Sequence, residues 1–454
     1  MTCGTPRALA KPLHLPYEKG QEPSLRSRLR SGITWNMVAS VFNQGSTFAV
    51  GVIIARLLGR TNYGEYAMVQ STLLGLSLLA QLATGATATK YLAEFRSSDK
   101  KRAGRVLSLC LGMSGIMSIL TSLALFALAP WLAGQILNAP QLAPELMLGA
   151  GILLFSSVIG CQTGALAGLE SYSVLAQAAL INGLAYLIIC TLSTWMWGLP
   201  GSILGLLLSA IIQVVVLSYK VRSECLKHGI VIAVRGATDE RSIIHTFILP
   251  SAISAYISMP AFWVANAFLF RQPNGFSEMA LYSAAASIRM IALFLPNISN
   301  AVGTSLLNNQ RGLGDRIRFR KIFWSNLGIA VILASLVTIV GFTCGSQILR
   351  FFGKDFGDGD QVLRILLLGA VVEAAAVAAY QLVVSEEKLW HSIVFVTLPR
   401  ESLILYLAYT LSAQYGAIGL ATAYTSGWAL ALIMIIGLCW RINSSFAPDP
   451  AKAN

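Results

Sequence analysis

The sequence predicts an all-α polytopic membrane protein with about twelve transmembrane helices. They form two parallel six-helix bundles around a central cavity, with the N and C termini cytoplasmic. Three observations carry this. Hydrophobic residues make up 55% of the 454-residue chain and charged residues 12%, against roughly 25% charged in a soluble domain. Twelve long apolar segments divide the chain, most of them longer than the roughly 20 residues that cross a bilayer core. The Lys and Arg residues sort onto alternate gaps between those segments.

The segments, each placed to within about three residues, are 33–58, 65–91, 106–128, 143–168, 172–195, 199–219, 242–267, 277–303, 323–345, 361–384, 390–412 and 415–440. With the N-terminus in the cytoplasm, 24 of the 33 basic residues fall inside, five fall outside (Arg60, Arg271, Arg350, Lys354, Arg364) and four lie within spans (Arg56, Lys90, Arg289, Arg400). The positive-inside rule then places both termini in the cytoplasm. The net charge of +13 is mostly this loop bias, so nucleic acid is not an expected partner. Residues 1–31 carry four prolines and six basic residues without an apolar core. They read as a disordered basic cytoplasmic tail rather than a cleavable signal. The seven cysteines show no Cys-x-x-Cys spacing and read as small packing residues, with neither disulfide nor metal. His245 and His391 lack clustered ligands.

Beyond the tail, the chain divides into an N-terminal bundle at 32–235 and a C-terminal bundle at 236–454. The halves read as a repeat shifted by about 216 residues: Tyr66 answers Tyr282, Arg102 answers Arg318, Arg105 answers Lys321 and Glu170 answers Glu386. Six spans per half is an even number, so the repeat is parallel, about an axis along the membrane normal. Pro250 and Pro260 in span seven, Pro296 in span eight and Pro399 in span eleven mark bends. Asn36, Asn43 and Gln44 in span one could touch a sugar, but read more simply as helix-bridging groups.

Arg289, Glu373 and Arg400 fall near the middles of spans eight, ten and eleven. Each central charge costs roughly 2.5–3.5 kcal/mol on insertion scales, so all three are expected to face a watery interior or one another. One reading is an Arg–Glu pair that locks the C-terminal bundle; it leaves one arginine with no carboxylate at its depth. The other is a cationic cavity, since guanidinium stays charged and binds phosphate oxygens two at a time. On the second reading Arg289 and Arg400 bind substrate, and Arg56 and Lys90 extend the basic path. Glu373, held away from bulk water, could carry a coupling proton or sodium ion, with Gln381 eight residues on along the same helical face. No cofactor is expected: there is no Gly-x-x-x-x-Gly-Lys-Ser/Thr loop. The Asp358-Gly-Asp360 pair falls outside, among loop glycines, where nucleotide sugars are absent.

Certain short motifs also carry a resemblance. Ile54-Ala-Arg56-Leu-Leu-Gly59-Arg-Thr-Asn-Tyr63-Gly64-Glu-Tyr66 resembles the first-loop pattern of oligosaccharide flippases of the O-antigen exporter type. Tyr91-Leu-Ala-Glu94-Phe-Arg96 and Phe352-Gly353-x-x-Phe356, followed by Val362-Leu-Arg364, resemble later elements of that family. The likeness runs from about 33 to 440. It implies the multidrug/oligosaccharidyl-lipid/polysaccharide exporter fold, with a glycan on an undecaprenyl pyrophosphate carrier as substrate. It also implies a cationic cavity driven by an ion gradient. Expected partners are the lipid-linked oligosaccharide, membrane lipids and polysaccharide polymerase machinery; the expected place is the bacterial cytoplasmic membrane. Only Arg56 belongs to a shared motif; Arg289, Glu373 and Arg400 rest on charge and depth.

Two other classes remain open. One is an ion-coupled exporter of small molecules, a multidrug-type antiporter. Paired arginines argue against cationic drugs but not against anionic ones. The other is an integral membrane glycan polymerase or ligase, which needs a larger outer loop than any gap here supplies. A major-facilitator reading rests only on Asp99-Lys-Lys-Arg102-Ala-Gly104-Arg105, whose Asp-to-Gly spacing is wrong.

Overall fold

In a computed structural model of the chain, the described residues are 25–81, 83–232, 236, 240, 243–244, 248, 258–312, 316–385 and 392–444. Pro250, His245, Glu386, His391 and residues 1–24 of the tail lie outside them. Every long element is a helix: α1 Leu25–Gln81, α2 Thr84–Ser98, α3 Lys100–Trp131, α4 Ala143–Gly168, α5 Tyr172–Lys227, α6 Ser258–Phe270, α7 Gly275–Gly312, α8 Arg316–Leu349, α9 Asp360–Ser385 and α10 Leu398–Ser444. Eight described segments are long and apolar enough to cross a membrane. Helix is the required answer there, because lipid offers no partner to a bare N–H or C=O.

Three of these helices are each broken at one glycine. Gly59 (φ 73°, ψ 175°) breaks α1, Gly198 (φ 61°, ψ −134°) breaks α5 and Gly416 (φ 55°, ψ −130°) breaks α10. Only glycine reaches such dihedrals without strain. Around Gly198 the two arms fold back on each other, since a Cβ at Gly201 would strike the Ser193 carbonyl and one at Gly205 would strike Cys190. Around Gly416 the same happens, with Gly419 against the Leu411 carbonyl.

These hairpins make the repeat visible. Gly198 and Gly416 adopt nearly the same backbone conformation at equivalent places in the two halves. Likewise, Ser122 Oγ donates to the Ala150 carbonyl at 2.7 Å between α3 and α4, and Thr338 Oγ1 donates to the Leu367 carbonyl at 3.1 Å between α8 and α9. Arg96 pairs with Glu170. Of the expected bends, Pro296 sits inside α7, and Pro399 follows the π-helical turn Ile393–Thr397, whose wider turn absorbs a freed carbonyl. Pro260 lies in the first turn of α6. Asn43 and Gln44 are exposed, and the Asn43 carbonyl accepts from Ser46 and Thr47 at 3.1 and 2.8 Å. Cys110, Cys161, Cys190 and Cys225 are buried.

The cores are unequal at the two ends. The end bearing the turns at 59–64, 271–275 and 350–359 is the one charge asymmetry assigns to the outside, and is termed the outer end. There, one cluster joins both halves, from Ile54, Tyr63 and Tyr66 to Tyr282, Phe352, Phe356 and Leu366. Toward the cytoplasm the cores divide. One cluster, with Leu92, Leu107, Cys161 and Val221, belongs to the first half; another, with Ala376, Ala379, Val396 and Ile435, belongs to the second. The segment after α5 stays with the first half: Glu240 accepts from Arg102 Nε and Arg105 Nη2 at 3.0 and 3.1 Å, and Ile243 and Ile248 pack into that half's core.

Candidate functional site

Near the middles of α7 and α9, Arg289 Nη1 meets Glu373 Oε2 in a direct ion pair. Tyr424, on the second arm of α10, completes it: its Oη accepts from Arg289 Nη1 at 2.7 Å and donates to Glu373 Oε2 at 3.2 Å. The guanidinium carbon lies 4.5 Å from the Tyr424 ring centre, within range of a cation–π contact. Four residues on, and therefore on the same helix face, Trp428 carries the second arginine. The Arg400 guanidinium carbon lies 4.4 Å from its ring centre. Arg400 Nε donates to Glu401 Oε1 at 3.0 Å, and Nη2 meets the same oxygen. The two rings stand 6.4 Å apart. The result is a ladder of two arginines, two aromatic rings and two carboxylates within the C-terminal bundle.

This corrects the expectation that Arg400 has no carboxylate at its depth. Glu401, buried, stands beside it. Among the described residues each guanidinium meets a carboxylate, Arg289 with Glu373 and Arg400 with Glu401. Pairing is what makes two arginines tolerable at this depth, since an isolated charge there is costly. The pairing is not a sealed one: the Arg289 and Glu373 side chains keep 12% and 14% of their surface accessible. Arg289 Nε is buried without an acceptor among the described residues.

The other expected site residues are dispersed. Gln381 does not join Glu373. It is buried in a polar node where its Nε2 donates to the Asn300 carbonyl at 2.9 Å and its Oε1 accepts from Asn326 Nδ2 at 3.3 Å. Asn326 also bonds Asn300 Oδ1 at 2.9 Å and Ser299 Oγ at 3.0 Å. Arg56 is at the outer end, its Nε donating to the Phe351 carbonyl at 2.6 Å. Lys90 lies in α2, exposed, its Nζ 5.1 Å from the Tyr91 ring centre. Neither reaches the ladder, because α1 and α2 belong to the other bundle. Asp358 and Asp360 do not act as a pair either: Asp358 lies 3.6 Å from Arg60, and Asp360 lies 2.8 Å from Arg364.

Sequence reasoning missed Glu401, Tyr424 and Trp428. Adjacent residues on a helix diverge, so Arg400 and Glu401 do not read as a pair. The four-residue spacing of Tyr424 and Trp428 was the available signal for the rings.

Helical bundles that share a core at one end, divide at the other and hold paired charges near the helix middles suit a multi-pass membrane transporter. The chain belongs to the family described as polysaccharide biosynthesis protein, which matches residues 29–303. It is 22% identical over 424 residues to the EPS I polysaccharide export inner membrane protein EpsE of Ralstonia solanacearum, covering 89% of each chain. The EpsE of Ralstonia nicotianae is 20% identical over 422 residues, covering 90% of this chain and 93% of that one. Among solved structures, the inward-facing conformation of a multidrug resistance MATE family transporter of the MOP superfamily superposes with a TM-score of 0.70 at 15% identity, covering 90% of this chain and 96% of that one. A MOP superfamily transporter from Pyrococcus furiosus gives 0.67 at 18% identity, covering 92% and 96%. The fold is therefore that of the MOP transporters, and the place is the bacterial inner membrane.

Proposed function

We propose that the chain flips an undecaprenyl-pyrophosphate-linked oligosaccharide across the bacterial cytoplasmic membrane by alternating access, for surface or exopolysaccharide assembly. The observation that carries this reading is the end-to-end likeness to a polysaccharide export protein, along 89% of both chains. The ladder supplies a physical basis. Glu373 and Glu401 hold the two guanidiniums in place while no cargo is present. A pyrophosphate brings more negative charge and several oxygens, suits the planar fork of an arginine, and competes with those carboxylates for it. The Arg289 Nε–H, buried without an acceptor among the described residues, adds a donor. Tyr424 and Trp428 offer ring faces of the kind that pack against sugars.

Glu373 is the proposed coupling group: a proton or sodium ion taken up there releases Arg289 to the cargo. Arg400 works beside it. Lipid-linked glycan and membrane lipids are the partners on this reading, and polymerase machinery acts on the flipped product.

The test is export of surface polysaccharide by Arg289→Ala and Arg400→Ala, each compared with Lys. Alanine is expected to abolish export and lysine to keep part of it, with lipid-linked glycan accumulating on the inner leaflet. Full export from the double alanine variant at normal protein levels would remove the mechanism. A drug-sensitivity screen of the same strains separates a small-molecule exporter, which would change drug tolerance and leave the polysaccharide intact.

A further inference from the structure

We propose that the outer ends of the two bundles are held shut by a clasp that opens once per transport cycle. Arg56, Arg60 and Gly64 form its N-terminal side; the stretches 276–278 and 351–358 form its C-terminal side. At the rim, Arg56 Nε donates to the Phe351 carbonyl at 2.6 Å. Arg60 Nε and Nη1 donate to the carbonyls of Ser277 and Asp355 at 3.4 and 3.2 Å, and its guanidinium also faces Glu278 and Asp358 at 3.7 and 3.6 Å. Glu278 in turn accepts from the Ala417 amide at 2.8 Å, which ties the Gly416 hairpin to the same point. Beneath the rim lies an aromatic plug. The Phe352 ring is 5.6 Å from Phe48 and 6.2 Å from Tyr63, and Tyr63 is 5.8 Å from Phe356. Beside it, the Gly64 backbone lies so close to Phe276 that a Cβ would strike its carbonyl.

Three features suit a joint that opens. The rim pairs are solvent-accessible and individually weak. The glycine contact needs no interdigitated side chains, so backbones can part and reseat. Toward the cytoplasm each bundle already keeps its own core, so the contacts to be broken for reversal lie at the outer end. Rim charges are also complementary: arginines on one bundle face carboxylates and carbonyls on the other. The idea rests on the transport reading only in requiring the outer ends to part.

The experiment places a reporter cysteine at Ile54→Cys, buried beside the plug, in a Cys344→Ser background and labels it from outside with a membrane-impermeant maleimide, without added cargo. Arg60→Ala and Gly64→Val are each expected to raise the labelling rate about three- to tenfold, as loss of one or a few such contacts implies. Arg60→Lys should fall between. Unchanged rates in both variants at normal protein levels overturn the clasp. A second arm bridges an Arg60→Cys/Asp358→Cys pair across the rim with a reducible bifunctional thiol reagent: export should stop and return on reduction, whereas export undiminished by the closed bridge also overturns it. Labelling reads the parting itself, so an error in the assigned cargo leaves that arm intact.

Discussion

Arg289 and Glu373, 84 residues apart in the chain, close an ion pair between α7 and α9 with the Tyr424 hydroxyl bonded to both. The pair ties three helices of the C-terminal bundle at one point near mid-membrane. It also makes the central arginine affordable, since its carboxylate partner offsets the cost of an isolated charge in the bilayer.

The three groups should therefore differ sharply in what their loss costs. Tyr424→Phe removes one hydroxyl and keeps the ring beneath Arg289, for an expected loss of about 0.5–1.5 kcal/mol. Glu373→Ala leaves the guanidinium without its carboxylate, for roughly 2–4 kcal/mol once partial hydration lowers the range for fully buried pairs. Thermal unfolding in detergent, with both variants in the same micelle, orders them. Equal losses would mean that the carboxylate contributes no more than the hydroxyl.

Much of the fold was legible in the sequence because a span is a local property: twenty apolar residues in a row announce themselves. Arg289 and Glu373 were legible for the same reason, as charges where none are tolerated alone. Their partners were not. Glu401 sits next to Arg400 in the chain, and neighbouring helical positions point about 100° apart, yet two long side chains bend to meet. Tyr424 and Trp428 look like ordinary span aromatics until the arginines lie over them. Arg56 was placed on the basic path by its depth within span one, but it lies one turn before the break at Gly59 and so reaches across to Phe351 instead. Contacts between bundles depend on how two rigid bodies lean together, and no local pattern encodes that. The repeat was legible through tyrosines and charge gaps, whereas its firmest marks, Gly198 with Gly201 and Gly416 with Gly419, hid among 39 glycines.

Those glycines give a paired prediction. Alanine at Gly198 or at Gly416 must take up a backbone conformation that costs of order 1–3 kcal/mol. Gly201→Val and Gly419→Val press a side chain into the Ser193 and Leu411 carbonyls. Both alanines carry the cost of the turn, but a Cβ at Gly416 also meets the Glu278 carboxylate while one at Gly198 meets open space, so Gly416→Ala should lower thermal stability at least as much as Gly198→Ala. A loss at 198 with none at 416 would show that the halves do not share this turn in the working protein.

Arg400 and Glu401 should respond unequally when each is neutralised. If Glu401 serves as the resting counter-ion, Glu401→Gln keeps a hydrogen-bond acceptor for Arg400 Nε and weakens the hold on the guanidinium, so export should persist at a sizeable fraction of the wild-type rate. Arg400→Ala removes the fork itself and should reduce export tenfold or more, by the usual cost of losing a charged hydrogen-bonding group at about 1.4 kcal/mol per factor of ten. Quantifying polysaccharide at matched protein levels decides it. An Arg400→Ala strain that exports better than Glu401→Gln would place the anion contact elsewhere.

Glu373 carries the sharpest test of coupling. In Glu373→Gln the side-chain amide can still accept from Arg289 Nη1 and Tyr424 Oη, so the bundle should assemble, but the position can no longer take up a proton or a sodium ion as a carboxylate does. If the driving gradient acts by relieving Glu373 of its hold on Arg289, the variant behaves as though permanently relieved. Export should then continue when the proton gradient is collapsed by an uncoupler, or the sodium gradient by an ionophore, under conditions that stall the wild-type protein. Lipid-linked glycan remaining on the inner leaflet is the readout. A variant that stalls with the wild type under both treatments moves the coupling site away from Glu373. A variant that fails to export even with gradients intact, while folding normally, means that the negative charge itself is needed, as it would be if the carboxylate steered Arg289 rather than restrained it.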